Sequence, residues 1–218
     1  MDWTELGPSF ALAVGQTLYM TSISLVIGGL LGLALGVALY VTRPRNLWPN
    51  RAVAAVLNVL VNVVRPIPFI IFVTAIQPVA IAIAGKSYGP NYAIVAMSAM
   101  ATFGTSRIVE QNLVALDPGV VEAARAMGAG RLRTILTVVI PEALGPLILG
   151  YTFVFVAVVD MSAVVGVVAA GGLGEFALVY GYQRYNYAVT WIAVAAIVLI
   201  VQLAQLLGST LARRVLRR

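Results

Sequence analysis

Long stretches without a single charged side chain constrain this chain more than any other feature. No charged residue lies between Glu5 and Arg43, between Arg65 and Lys86, between Lys86 and Arg107, or between Arg184 and Arg213. A fifth stretch runs from Ala143 to Val159 and continues past a lone Asp160. A helix needs about 20 apolar residues to cross a hydrocarbon core of about 30 Å. Backbone groups in lipid must bond internally, so only helices or closed barrels cross. The runs are too uniformly apolar for barrel strands, whose two faces alternate. Only 10% of the residues are charged, against about 25% in soluble domains. The chain therefore reads as an all-α polytopic membrane protein with five spans, over 14–41, 67–85, 89–107, 143–168 and 187–210.

The basic residues orient these spans. Arg43, Arg45 and Arg51 follow the first, Arg107, Arg125, Arg131 and Arg133 follow the third, and Arg213, Arg214, Arg217 and Arg218 form the tail. All fall on one side, with Arg65 near it. The other side holds Lys86, Arg184 and the acidic Asp2, Glu5 and Glu175. The positive-inside rule puts the amino terminus outside and the carboxyl terminus in the cytoplasm, as an odd number of spans requires. This placement, rather than nucleic-acid binding, accounts for the net charge of +6. Met1 to Gly7 lacks the basic residues of a cleaved signal peptide. With no Cys and no His, thiolate and imidazole metal sites, thiol catalysis and histidine acid–base chemistry are excluded.

Residues 52–64 are apolar but too short to cross, and Arg65-Pro66-Ile67-Pro68 interrupts any helix there. The segment is either a helix near the cytoplasmic face feeding span two or part of one kinked span over 53–76. Gly28, Gly32 and Gly36 fall at four-residue intervals on one face of span one, which suits close packing against another helix.

The segment 108–142 is larger and more polar than the other connections. Asp117-Pro118-Gly119 is a helix-start signal, Val120 to Met127 a short helix, and Gly128-Ala129-Gly130 its stop. A second helix starts near Arg131 and is disturbed by Pro141. Such a short helix, held outside the membrane by a bend on each side, suits docking in a groove of a cytoplasmic partner.

Glu122-Ala123-Ala124, three residues, Gly128, nine residues, Val138, one residue and Ile140-Pro141 resembles the EAA motif of bacterial ABC importer permeases. Val138 and Ile140 stand where the pattern has Ile and Leu; the spacing is intact. LYVTRP at 39–44, RPIPFII at 65–71, AAGGLGEF at 169–176 and YGYQRYNY at 180–187 resemble the methionine-importer branch of that family. The resemblance implies a type I permease domain over 13–208 in the bacterial inner membrane. It implies that Glu122, Ala123, Ala124, Met127 and Gly128 form the coupling helix that sits in a cleft of an ATPase. Two ATPase copies, a second copy of this permease and an extracytoplasmic solute-binding protein would complete the complex.

This chain has no GxxxxGK[ST] loop for nucleotide: Lys86 is its only lysine, and Gly171-Gly172-Leu173-Gly174 lacks one. The reading is of a transport subunit rather than an enzyme, with no cofactor of its own, and with ATP and Mg²⁺ used by the partner. Asp160 lies well inside span four, where a carboxylate costs on the order of 2.5–3.5 kcal/mol. It either lines the substrate pathway with Met161 and Ser162 or is paired structurally. In methionine-type permeases an uncharged residue is expected there, so other polar or cationic cargo stays open. Gly171, Gly172 and Gly174 allow a tight turn, and with Tyr180 and Arg184 they are candidates to face the binding protein. Tyr180, Tyr182, Tyr185, Tyr187 and Trp191 suit an outer aromatic belt. Two other classes remain on the residues alone. A proton-coupled transporter using Asp160 lacks the internal repeat common in that class. A membrane enzyme lacks His, Cys and a clustered acid pair.

Overall fold

The structure, a computed structural model, describes residues 3–216 of the 218. Asp2, Arg217 and Arg218 lie outside the described residues, as does the side chain of Glu5. The described chain is helical almost throughout. Among the described residues four helices are long and apolar enough to cross a membrane, over Leu6–Val41, Pro90–Val114, Leu144–Val168 and Tyr187–Leu216, and five spans result if the bent pair Arg51–Val64 and Phe69–Ala75 counts as one.

The first, α1 (Trp3–Val41), starts well before residue 14. It packs most extensively on α5 (Pro90–Val114), and the glycine stripe makes that possible. A Cβ at Gly28 would stand 2.7 Å from Ala101 Cβ, and one at Gly36 2.6 Å from the Ser106 carbonyl oxygen. The stripe is thus used within the chain. α5 is the most enclosed crossing, 61% buried over its most apolar window, against 11% for α11 (Tyr187–Leu216).

α2 (Arg51–Val64) is capped by the Asn50 side chain, which accepts from the Val53 N–H at 3.1 Å. α3 (Phe69–Ala75) leaves it at 108° after the paired prolines. The two pass as apolar enough to cross only when taken together, so 52–64 is a helix of its own with a sharp break before residue 69, either feeding the second crossing or forming one broken span with α3. Where a single crossing was expected over 67–85 the chain forms two short helices, α3 and α4 (Gln77–Ala84), of 7 and 8 residues, joined at Ile76. At 1.5 Å per residue the pair reaches only about 24 Å. Tyr92 ties α3 to α5 by donating to the Val73 carbonyl at 3.0 Å.

The third crossing continues to Val114, seven residues past its expected end at 107. Arg107 is therefore a helical residue and not part of a loop. α6 (Pro118–Ala126) and α7 (Arg131–Thr134) follow, then a π-helical turn over Ile135–Val139 and α8 (Ile140–Glu142). Pro141 lacks an N–H and its ring crowds the carbonyl four residues back, and the widened turn takes up that misfit. α9 (Leu144–Val164) is the fourth crossing and ends in a 3₁₀ turn, Val165–Val168. α10 (Gly172–Phe176), a π-helical turn at Ala177–Tyr182 and α11 complete the chain.

Candidate functional site

One end of the bundle carries α6. Asp117 caps it by accepting from the Gly119 N–H at 2.8 Å, and Pro118 opens the first turn. The stop is a Schellman turn: the Ala129 N–H donates to the Ala124 carbonyl and the Gly128 N–H to that of Arg125, with Gly128 at φ +79°. Val121 packs against a cluster built on Val109, Leu113, Ile135 and Val139, and Ala124 is buried. Glu122, Ala123 and Met127 face outward, Met127 at 81% exposure. The motif thus divides into a seated side and a presented side. Between α6 and the end of α1 lies a cavity of about 260 Å³ lined in part by Arg43, Arg45, Glu122 and Arg125.

Beside it stands an ion-pair network that sequence reading missed. Arg43 Nη1 lies 3.3 Å from Glu110 Oε1, and Arg107 pairs with the other carboxylate oxygen. Arg107 also donates to Asn58 and Asn62 of α2. The Glu110 side chain is 6% exposed and that of Arg107 17%. Buried charges persist when paired and hydrogen-bonded, and here Glu110 and Arg107 of α5 together hold the loop after α1 and the helix α2. The three-residue spacing of Arg107 and Glu110 was the available signal. Arg43 gives no comparable local sign.

The opposite end carries the glycine-rich turn. Gly171 and Gly172 take φ +86° and +83°. The Gly171 N–H donates to Glu175 at 2.7 Å, the Gly172 N–H to Gln16 Oε1 at 2.8 Å, and the Leu173 N–H to Thr17 Oγ1 at 2.8 Å. Gly174 serves closeness instead of turning, since a Cβ there would strike the Ala163 backbone. Gln16 and Thr17 were not singled out from sequence, although polar side chains within an apolar span hint at a role. Tyr180 packs on Phe176 at 5.2 Å between centroids with the Arg184 guanidinium 4.8 Å from its own. Tyr180 is thus half-buried, whereas Tyr182, Tyr185, Tyr187 and Trp191 are all exposed.

Asp160 projects from the exposed face of α9, in line with Phe153, Val156, Val164 and Val167. Among the described residues no hydrogen bond or ion pair engages its carboxylate. Two tethers fix its depth. Tyr151 donates to the Gly29 carbonyl at 2.7 Å, and Gly172 reaches Gln16. Asp160 lies along α9 between those levels, beside a cluster that Met20, Val154, Val158 and Val165 share, inside the apolar stretch Leu6–Val41. Its neighbours turn away. Met161 packs on that cluster, and Ser162 is 2% exposed with its hydroxyl donating to Val159 at 2.6 Å. Within one chain the structure does not bring the three candidate pathway residues to one surface. Among the described residues no group of three or more potential ligands could hold a metal ion.

Residues 28–218 match the family described as binding-protein-dependent transport system inner membrane component. The chain is 37% identical to the probable D-methionine transport system permease protein MetI of Vibrio cholerae, over 98% of this chain and 96% of that one. It is also 37% identical to the methionine import system permease protein MetP of Bacillus subtilis, over 96% and 92%. Among solved structures, an inward-facing conformation of the MetNI methionine ABC transporter superposes with a TM-score of 0.95 at 36% identity, covering 99% of both chains.

Proposed function

This chain belongs to the family of inner membrane components of binding-protein-dependent transport systems, and from that premise we propose that it passes methionine, or a close amino-acid analogue, into the cell. As a member it is a transport component of the bacterial inner membrane and not an enzyme. In the proposed complex two copies form the passage, two ATPase subunits use ATP and Mg²⁺ in the cytoplasm, and a solute-binding protein delivers cargo outside. The relatives named for methionine support that cargo.

The observation that carries the reading is the divided α6. One side is seated on the ends of α5 and the following π-helical turn, while Glu122, Ala123 and Met127 are free to enter a cleft on another protein. A helix rigidly joined to the crossings can transmit a partner's motion between two discrete states. In our assignment ATP binding draws the two α6 helices together and opens the pair outward, and hydrolysis resets it. The end bearing α6 is then cytoplasmic, which puts the amino terminus outside and the carboxyl terminus inside. The domain starts ahead of the matched stretch at 28, near residue 13, since Ala13, Gln16 and Thr17 pack on or bond to the far-side turn. That turn, with Gly171, Gly172, Gly174, Tyr180 and Arg184, is assigned to the binding-protein side.

We assign the passage wall to the outward face of α9. A lipid-facing carboxylate at that depth would cost on the order of 2.5–3.5 kcal/mol, and such residues face a cavity or a partner instead. Met161 and Ser162 would reach the passage only by a rotation of α9.

Reconstitution with the ATPase and the binding protein tests the reading. Methionine uptake is expected to need ATP, and Met127→Asp is expected to release the ATPase and abolish uptake while leaving the permease folded. Uptake that proceeds without the ATPase and follows a proton gradient would overturn it.

A further inference from the structure

We infer that Asp160 sets the charge preference of the passage, favouring cargo that presents an ammonium group and holding back anionic cargo. This rests on the reading that the outward face of α9 lines the passage.

The case is one of uncompensated charge. Asp160 is the only charged residue of α9. Among the described residues, α1 carries no basic side chain and no charge beyond Glu5, and α11 none before Arg213. The basic residues of α5 reduce to Arg107, which is already engaged by Glu110 and the two asparagines of α2. Lys86 and Arg184 lie at the far end, each over a tyrosine ring. Arg65 precedes α3 and is exposed, and the remaining basic residues lie in or beside the α6 end, so among the described residues no cation pairs with Asp160. A carboxylate in a narrow space with low-dielectric walls focuses its field into that space. The countercharge is left to what passes through. Two copies bring two such carboxylates to a shared passage, which strengthens the preference. The residues one turn away on either side, Val156 and Val164, are aliphatic and partly exposed. An ammonium held at Asp160 would lie beside an apolar wall suited to a thioether or aliphatic tail.

The chain has no cysteine, so single cysteines report cleanly. Val156→Cys and Val164→Cys, separately, are introduced into the complete reconstituted complex. Each is treated with trimethylammonioethyl methanethiosulfonate, a cation, and with sulfonatoethyl methanethiosulfonate, an anion. Treatment is done without nucleotide and with ATP and Mg²⁺. Modification of the permease is followed by mass, and rates are normalised to those with a free thiol. With Asp160 present the cation is expected to react about tenfold faster or more, and in Asp160→Asn the ratio is expected to fall to near one. If both reagents react equally with Asp160 present, or the preference survives Asp160→Asn, charge selection by this residue is wrong and the passage reading stands. If neither reagent modifies either cysteine in any state, while the complex still holds its ATPase, the face does not line the passage and both fall. Asp160→Ser serves in place of Asp160→Asn should the latter fail to assemble.

Discussion

Arg43 and Glu110 meet at 3.3 Å although 67 residues separate them, and the contact ties the loop after α1 to the enclosed end of α5. Because Arg107 holds the same carboxylate from its other side, Glu110→Gln leaves two guanidinium groups without their anion. Removing one partner of a buried pair costs about 3–5 kcal/mol. Arg43→Ala is expected to cost at most about 1 kcal/mol, because the Arg43 side chain is 45% exposed. Thermal midpoints of the two purified variants should fall in that order, and equal shifts would mean that Glu110 is not the centre of the network.

Gly36→Val is expected to abolish accumulation of folded protein. Its Cβ would stand 2.6 Å from the Ser106 backbone carbonyl, and neither helix can yield without parting from the other. Gly104→Ala, whose Cβ meets nothing within 4 Å, is expected to fold normally and to stabilise its helix by up to about 1 kcal/mol. Protease resistance of the two in membranes measures the contrast.

Gly128 is a different case, since nothing lies within 4 Å of a Cβ there and only its φ of +79° requires glycine. Gly128→Val is expected to strain the stop of α6 by about 1–2 kcal/mol while leaving the crossings intact. Under the coupling assignment, uptake per ATP hydrolysed falls severalfold, and Gly128→Asn, which tolerates that conformation, recovers most of it. Parallel assays of phosphate release and uptake read this ratio.

Thr17→Val keeps the shape of a buried side chain and removes the acceptor for the Leu173 N–H, itself on a fully buried residue. An orphaned buried donor costs about 1–3 kcal/mol. Amide exchange at Leu173 is expected to accelerate at least about fivefold, with little change at Ala124 at the opposite end of the molecule.

Local features of this chain were legible without its fold. Asp117, Pro118 and Gly128 bracket α6 through bonds that reach only a few residues, so their types alone announce a capped helix. The crossings are announced by apolar length, a property of each stretch by itself. The bend between α2 and α3 was half legible: Pro66 and Pro68 mark a break, but not its 108°.

Sequence by itself therefore determined that the chain is a helical membrane protein, roughly where its long crossings lie, though α1, α5 and α11 all extend further than expected, and that a short capped helix stands between the third and fourth of them. Only the tertiary structure decided which helix the glycine stripe of α1 meets, that Gln16 and Thr17 hold a turn 156 residues away, that Glu110 gathers Arg43 and Arg107, and that Asp160 faces outward while Ser162 faces in. The reason is physical. A crossing that is apolar all round carries no amphipathic period to say which side packs. Its neighbours are chosen by close approach of small residues and by pairing of rare polar groups between distant segments, and such choices exist only once the helices are assembled.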